Sequence, residues 1–143
     1  MCARAKEEAL DNVIFCPPVN KEKLAELMSA ADLGLQLLAN VPAFYFGTSP
    51  NKFFDYIAAG LPVLNNYPGW LSQMIEEHNC GYTVPPDDPE RFADILSTAA
   101  DERSALVQMG LNAQRLAEEK FHRYRLAERW VNWLEECCNE TNF

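Results

Sequence analysis

A glycine, two hydroxyls, an amide, a lysine and a carboxylate stand within nine residues of one another, as Gly47, Thr48, Ser49, Asn51, Lys52 and Asp55. Ser49 suits an N-cap, Pro50 suits the first position of a helix, and Gly60 followed by Pro62 stops one. A helix is therefore predicted from about Pro50 to Ala59. At about 100° per residue Asn51, Lys52, Asp55 and Tyr56 share an arc of roughly 140°, with Phe53, Phe54, Ile57 and Ala58 opposite. Such a helix is apolar on one side and chemically equipped on the other. Its first-turn N–H groups and positive dipole end attract an anion, Lys52 adds a full charge, and a phosphate is the natural guest. One turn on, Asp55 can accept hydrogen bonds from sugar hydroxyls. Phosphate at the cap and hydroxyls one turn later describe a nucleotide. On these residues alone a plainer alternative stays open, in which Ser49 only caps, Gly47 only turns, and Lys52 pairs weakly with Asp55 at i,i+3.

The elements around this stretch alternate. Met1 to Leu10 reads as the end of a helix, and Asn12-Val-Ile-Phe-Cys16 as a buried strand bounded by Pro17-Pro18. Asn20 caps a helix whose Leu24, Leu27, Met28 and Ala31 repeat at helical spacing, which should lay it on a sheet. Leu33 to Leu38 is the second strand, followed by the loop Ala39 to Thr48; Pro62 to Asn66 is the third strand. Tyr67-Pro-Gly69 turns into a helix from Trp70 to Asn79 with Leu71, Met74 and Ile75 inward, and Tyr82 to Val84 is the fourth strand. Asp88 and Pro89 open a helix running to Ala100. The fold class is therefore α/β, a partial doubly wound, Rossmann-like parallel sheet of about four strands with helices on both faces. Ligands of such sheets sit outside the carboxyl ends of the strands, where the loop Ala39 to Thr48 and the turn Asn66 to Trp70 both lie.

From Asp101 the pattern is helical only: Arg103 to Glu119, then Tyr124 to Cys138, then a polar end, Asn139 to Phe143. Trp130 and Trp133 share a face at i,i+3 and are expected in the core, with a surface for a second domain as the sharper alternative. Trp70, beside Gly69, is read first as a core residue and second as a contact for a base. His78 and His122 are expected at the surface.

With 143 residues, 48% hydrophobic and 23% charged, one domain is the default. A net charge of −9 and a pI near 4.6 argue against nucleic acid or an anionic membrane as partner, so a nucleotide must be held by local geometry. No run reaches about eighteen apolar residues, and the charged start is not signal-like, which makes the expected location cytoplasmic. The five cysteines form no Cys-x-x-Cys pair and the two histidines are far apart, so no metal site is expected. Cys16 and Cys80 are expected as small apolar fillers.

Taken in order, Asn12-Val-Ile-Phe, Ala31-Asp-Leu-Gly-Leu35, Ser49-Pro-Asn-Lys-Phe-Phe-Asp-Tyr-Ile-Ala-Ala-Gly-Leu-Pro-Val63 and Cys80-Gly-Tyr-Thr-Val-Pro-Pro-Asp-Asp-Pro-Glu90 resemble the donor-binding domain of GT-B glycosyltransferases of family 4. The likeness is greatest to bacterial members that build O-antigen and capsule. It implies a retaining enzyme that takes a UDP- or GDP-sugar as donor, with no further cofactor, and passes the sugar to a polysaccharide or lipid-linked acceptor. It sets Gly47, Thr48, Ser49, Pro50 and Asn51 at the donor diphosphate, with Lys52 as a further candidate, and Asp55 at the second glutamate of an E-x7-E motif, which binds the ribose. No catalytic residue is assigned.

Five departures accompany the resemblance. Counting back eight residues from Asp55 lands on Gly47, so the acidic residue that addresses the transferred sugar is replaced by glycine, and Asp55 is itself one methylene shorter than glutamate. The glycine-rich strand-loop-helix and the Arg/Lys pair of the family's donor domain are lacking, as is its amino-terminal acceptor domain. Residues 1–143 are therefore expected to be a single, incomplete donor domain with a helical tail over 101–143, inactive alone, and prone to form a homodimer through its unpaired sheet edge. A non-catalytic nucleotide- or partner-binding remnant, or part of a nucleotide-sugar epimerase, are the alternatives. Whether Lys52 and Asp55 face a cleft or each other separates the remnant from the enzyme.

Overall fold

The computed structural model describes residues 1–140. Three short parallel strands form its sheet, β1 (Gly34–Gln36), β2 (Val63–Asn65) and β3 (Gly81–Thr83), in that spatial order. Gly34, Leu35 and Gln36 stand opposite Val63, Leu64 and Asn65, which in turn stand opposite Gly81, Tyr82 and Thr83. The helices are α1 (Cys2–Glu7), α2 (Lys21–Ser29), α3 (Asn51–Ala58), α4 (Trp70–Glu77), α5 (Pro89–Asp101), α6 (Arg103–Lys120) and α7 (Arg123–Glu140). The expected α/β class with parallel strands and a helical carboxyl-terminal part is what the chain adopts.

Alternation along the strands divides the core into two layers. Val63 points to one face, where Phe53 and Ile57 of α3, Leu71 and Ile75 of α4, and Ala113, Leu116 and Ala117 of α6 close over it. Both crossover helices lie on this face, as a sheet whose strands follow one another in order requires. Leu64 points the other way, into a smaller cluster with Val84 and with Ile95 of α5. Asp88 caps α5 as expected, its Oδ1 accepting from Arg91 N–H at 2.9 Å, with Pro89 in the first turn. Close approach of α6 to the loop after α3 depends on Gly110, where a Cβ would lie 2.5 Å from the Gly60 carbonyl oxygen.

Five sequence expectations fail. The run Asn12 to Cys16 forms no strand; Val13, Ile14 and Phe15 are exposed, and so is Cys16, which fills no core. An extended run becomes a strand only beside a partner, and β1 pairs with β2 alone. Helix α2 starts where Asn20 predicts, with Asn20 Oδ1 accepting from Lys23 N–H at 2.9 Å, but it buries no residue and lies on no sheet. Trp130 and Trp133 are 61% and 56% exposed rather than core. The polar end begins later than expected, since α7 includes Asn139; residues 141–143 lie outside the described residues. Cys80 is buried as expected, and burial pushes its thiol up to about 11.

Candidate functional site

Helix α3 begins one residue later than Ser49 implies. Pro50, in extended backbone, occupies the cap position, Phe53 N–H closes the first turn on the Pro50 carbonyl, and the Ser49 hydroxyl caps nothing. The correction strengthens the anion reading, because the Asn51 and Lys52 N–H groups make no hydrogen bond among the described residues. Ser49 and Asn51 are exposed and their side chains bond to no described residue. Gly47 needs no special conformation, and a Cβ there would meet nothing within 4 Å. The space in front of it is open.

The loop that delivers these residues is held from behind. Trp70 lies stacked on Phe54 with ring centroids 6.3 Å apart, and its indole N–H donates to the Thr48 carbonyl at 3.0 Å. The Thr48 hydroxyl donates to the Phe44 carbonyl. At Gly69 the φ of +119° and the Tyr45 carbonyl oxygen, 2.3 Å from where a Cβ would stand, both require glycine. Tyr45 is buried and stacks on Tyr67, its hydroxyl donates to Asn40 Oδ1, and Asn40 Nδ2 donates to Asp87 at 2.6 Å. The loop 39–48 is thereby tied both to the turn before α4 and to the segment before α5. Both expectations hold that the loop and the Asn66–Trp70 turn share the carboxyl edge of the sheet and that Trp70 acts first as a core residue.

Lys52 and Asp55 do not pair with each other. Lys52 Nζ donates to the Leu35 carbonyl at 3.3 Å, and the Tyr56 hydroxyl reaches the same oxygen at 3.5 Å. Gly34 N–H and the Gln36 carbonyl bond toward β2, so Leu35, between them, presents its carbonyl to the outer edge of β1. Lys52 therefore lies along that edge, and partial burial lowers its pKa from the ordinary lysine value. Burial first, and then the Asp55 charge, raise Tyr56 and keep its phenol protonated as a donor. Asp55 is exposed, its carboxylate makes no hydrogen bond or ion pair among the described residues, and it lines two grooves: one against α2, the other shared with Phe121, His122 and Arg123. The alternative of a mutual Lys52–Asp55 surface pair is not what the chain adopts.

Several polar residues of this edge were not singled out from the sequence. Gln36 and Asn65 face each other across β1 and β2, both buried, with Gln36 donating to the Tyr67 hydroxyl at 3.0 Å and Asn65 donating to Ser72 Oγ at 2.9 Å. The Asn66 amide bonds both backbone groups of Leu38, at 2.8 and 3.0 Å, extending the β1–β2 pairing by one side chain. The available signal was polar residues interrupting two otherwise apolar strands near their carboxyl ends.

With this geometry in hand the comparisons decide the family. The family described as "Glycosyl transferases group 1" matches residues 2–102, well over half of the chain. The chain belongs to that family. It is 32% identical over 113 residues to the D-inositol 3-phosphate glycosyltransferase of Streptomyces avermitilis, an alignment covering 76% of this chain and 22% of the relative. It is 26% identical over 84 residues to spore coat protein SA of Bacillus subtilis, covering 58% of this chain and 22% of that one. The chain thus spans about a fifth of the length of these curated relatives. Among solved structures, the sucrose-phosphate synthase of Thermosynechococcus elongatus superposes with a TM-score of 0.78 at 21% identity, over 97% of this chain and 34% of that chain. The likeness establishes the GT-B type of fold. Among the described residues no helix is long and apolar enough to cross a membrane.

Proposed function

We propose that this chain supplies the diphosphate and ribose part of the donor site in a retaining glycosyltransferase of family 4, of the kind that builds bacterial O-antigen or capsule. The observation that carries the reading is the start of α3, where the Asn51 and Lys52 N–H groups are left unbonded among the described residues at the positive end of the helix, with the Lys52 ammonium on the same first turn. A UDP- or GDP-sugar places its diphosphate there. As the glycosidic bond to the donor breaks, charge grows on the departing diphosphate, and preorganised N–H groups with a nearby ammonium stabilise it. Lys52 exchanges the Leu35 carbonyl for a phosphate oxygen, a neutral acceptor for a charged one. Asp55, one turn further along the helix, accepts from the ribose hydroxyls. Gly47 carries no carboxylate to address the transferred sugar, so this chain by itself binds donor without turning it over. The acceptor is a polysaccharide or lipid-linked glycan bound outside residues 1–143.

Calorimetric titration of the chain with UDP, GDP and the corresponding nucleosides tests this reading. Millimolar binding, about 4 kcal/mol, is expected for a diphosphate. Lys52→Gln should weaken the diphosphates about tenfold and leave the nucleosides unchanged. Diphosphate binding that ignores Lys52→Gln contradicts the assignment.

A further inference from the structure

Two neighbouring residues in the loop before α3 differ completely in how their polar groups are engaged. Thr48 has none free: its N–H and hydroxyl both donate to the Phe44 carbonyl, and its own carbonyl accepts from the Trp70 indole N–H at 3.0 Å. Ser49 is exposed, and its N–H, hydroxyl and carbonyl make no hydrogen bond among the described residues. One peptide plane joins the two. No described peptide bond is cis, and in a trans peptide the C=O and N–H point in opposite directions. With the Thr48 carbonyl turned onto the indole, the Ser49 N–H faces away from it.

We propose that Trp70 is a positioning residue of the diphosphate site, aiming the Ser49 N–H at the anion as a third backbone donor beside those of Asn51 and Lys52. The inference rests on the donor-site reading above. The indole suits this role because it is fixed to the sheet. Its ring stacks on Phe54 and meets the buried Phe53 edge-on, with centroids 6.3 Å apart in both pairs. Its backbone lies between Tyr67 and Ser72, and both are held by Asn65, the fully buried last residue of β2. The Asn65 amide donates to the Tyr67 carbonyl at 2.5 Å and to Ser72 Oγ at 2.9 Å, and Ser72 Oγ donates to the same carbonyl at 2.7 Å. The end of β2 therefore sets the start of α4, the start of α4 sets the indole, and the indole sets the plane of the Thr48–Ser49 peptide. A donor aimed in advance loses little freedom when an anion arrives. The same plane also couples the two hydrogen bonds. An anion drawing on the Ser49 N–H polarises the peptide, makes the Thr48 carbonyl a better acceptor and strengthens its bond with the indole.

Titration of the full chain with inorganic pyrophosphate, followed by NMR, tests the proposal. In the wild type the Ser49 amide should exchange rapidly with solvent and become protected at saturation, together with those of Asn51 and Lys52. The Trp70 indole N–H resonance should move downfield, while those of Trp130 and Trp133 on α7 stay in place. Trp70→Phe keeps a ring against Phe53 and Phe54 and has no N–H to donate. It should weaken pyrophosphate about fivefold and lose the protection at Ser49, with Asn51 and Lys52 still protected. Binding that weakens in Lys52→Gln, yet leaves the wild-type Ser49 amide unprotected and the Trp70 indole unmoved, overturns the positioning role and leaves the donor-site reading intact. A Trp70→Phe variant that binds as tightly as the wild type and still protects Ser49 does the same. Absence of binding, or binding indifferent to Lys52→Gln, overturns both. The wild-type readouts decide the matter even where Trp70→Phe fails to fold.

Discussion

Helices α6 and α7 follow one another, have the same length of eighteen residues, and are both amphipathic in sequence, yet one is a pillar of the core and the other is uncovered. α6 turns Leu106, Gly110, Ala113, Leu116 and Ala117 inward, and most of these are small. Small residues let its backbone come up against the turn after α3, with Leu106 and Leu116 as the large side chains that fill the space on either side. α7 carries its apolar bulk as two indoles, for which the three-stranded domain has no hole. Helical periodicity reports that a face will be covered. The sizes of the residues on that face report how close the cover can come, and whether it lies in the same domain.

The comparison can be broken at α6 with the largest effect. Leu116→Ala, at a site 1% exposed, should cost about 3 kcal/mol in urea unfolding. Gly110→Ala should cost about 2 kcal/mol, although alanine ordinarily favours a helix, because the added Cβ meets the Gly60 carbonyl; a stabilised variant would mean the two backbones are not in close contact. Trp70→Phe keeps the ring beside Phe54 and removes the indole bond to Thr48, for about 1 kcal/mol. Trp133→Ala removes far more atoms than any of these, yet should change the stability of the monomer by less than about 0.5 kcal/mol when measured at low micromolar concentration.

A smaller effect sharpens the site. Burial lowers the Lys52 pKa in the folded chain, so the unfolded chain binds more protons between that value and the ordinary lysine value of about 10.4. The contribution of Lys52 to stability therefore rises with pH across that window and falls as pH drops through the folded pKa. Subtracting the pH profile of Lys52→Gln from that of the wild type should leave this rising limb, and a flat difference would mean that the ammonium is fully solvated.

Local chemistry was legible and tertiary partnership was not. Asn20 and Asp88 cap the helices they were expected to cap, because a cap needs only its own first turn. Asn12 to Cys16 has a strand's composition and no strand's environment, since pairing is decided by a neighbour elsewhere in the chain. At the site, Lys52 and Asp55 could be assigned to the polar side of α3 from spacing alone. Gly34, which lets the Tyr56 ring lie within 2.6 Å of where a Cβ would stand, and the Leu35 carbonyl that holds Lys52 belong to β1, remote from α3 in sequence. Ser49 misled because Pro50 itself takes the cap position in extended backbone.

The most direct test of the donor-site assignment is the amide spectrum of the chain titrated with inorganic pyrophosphate, UDP and GDP. The reading predicts that the Gly47, Asn51 and Lys52 amides move first and furthest, with Asp55 following only when a ribose is attached to the diphosphate. Saturable binding with its shifts confined elsewhere, and none at the start of α3, would contradict it.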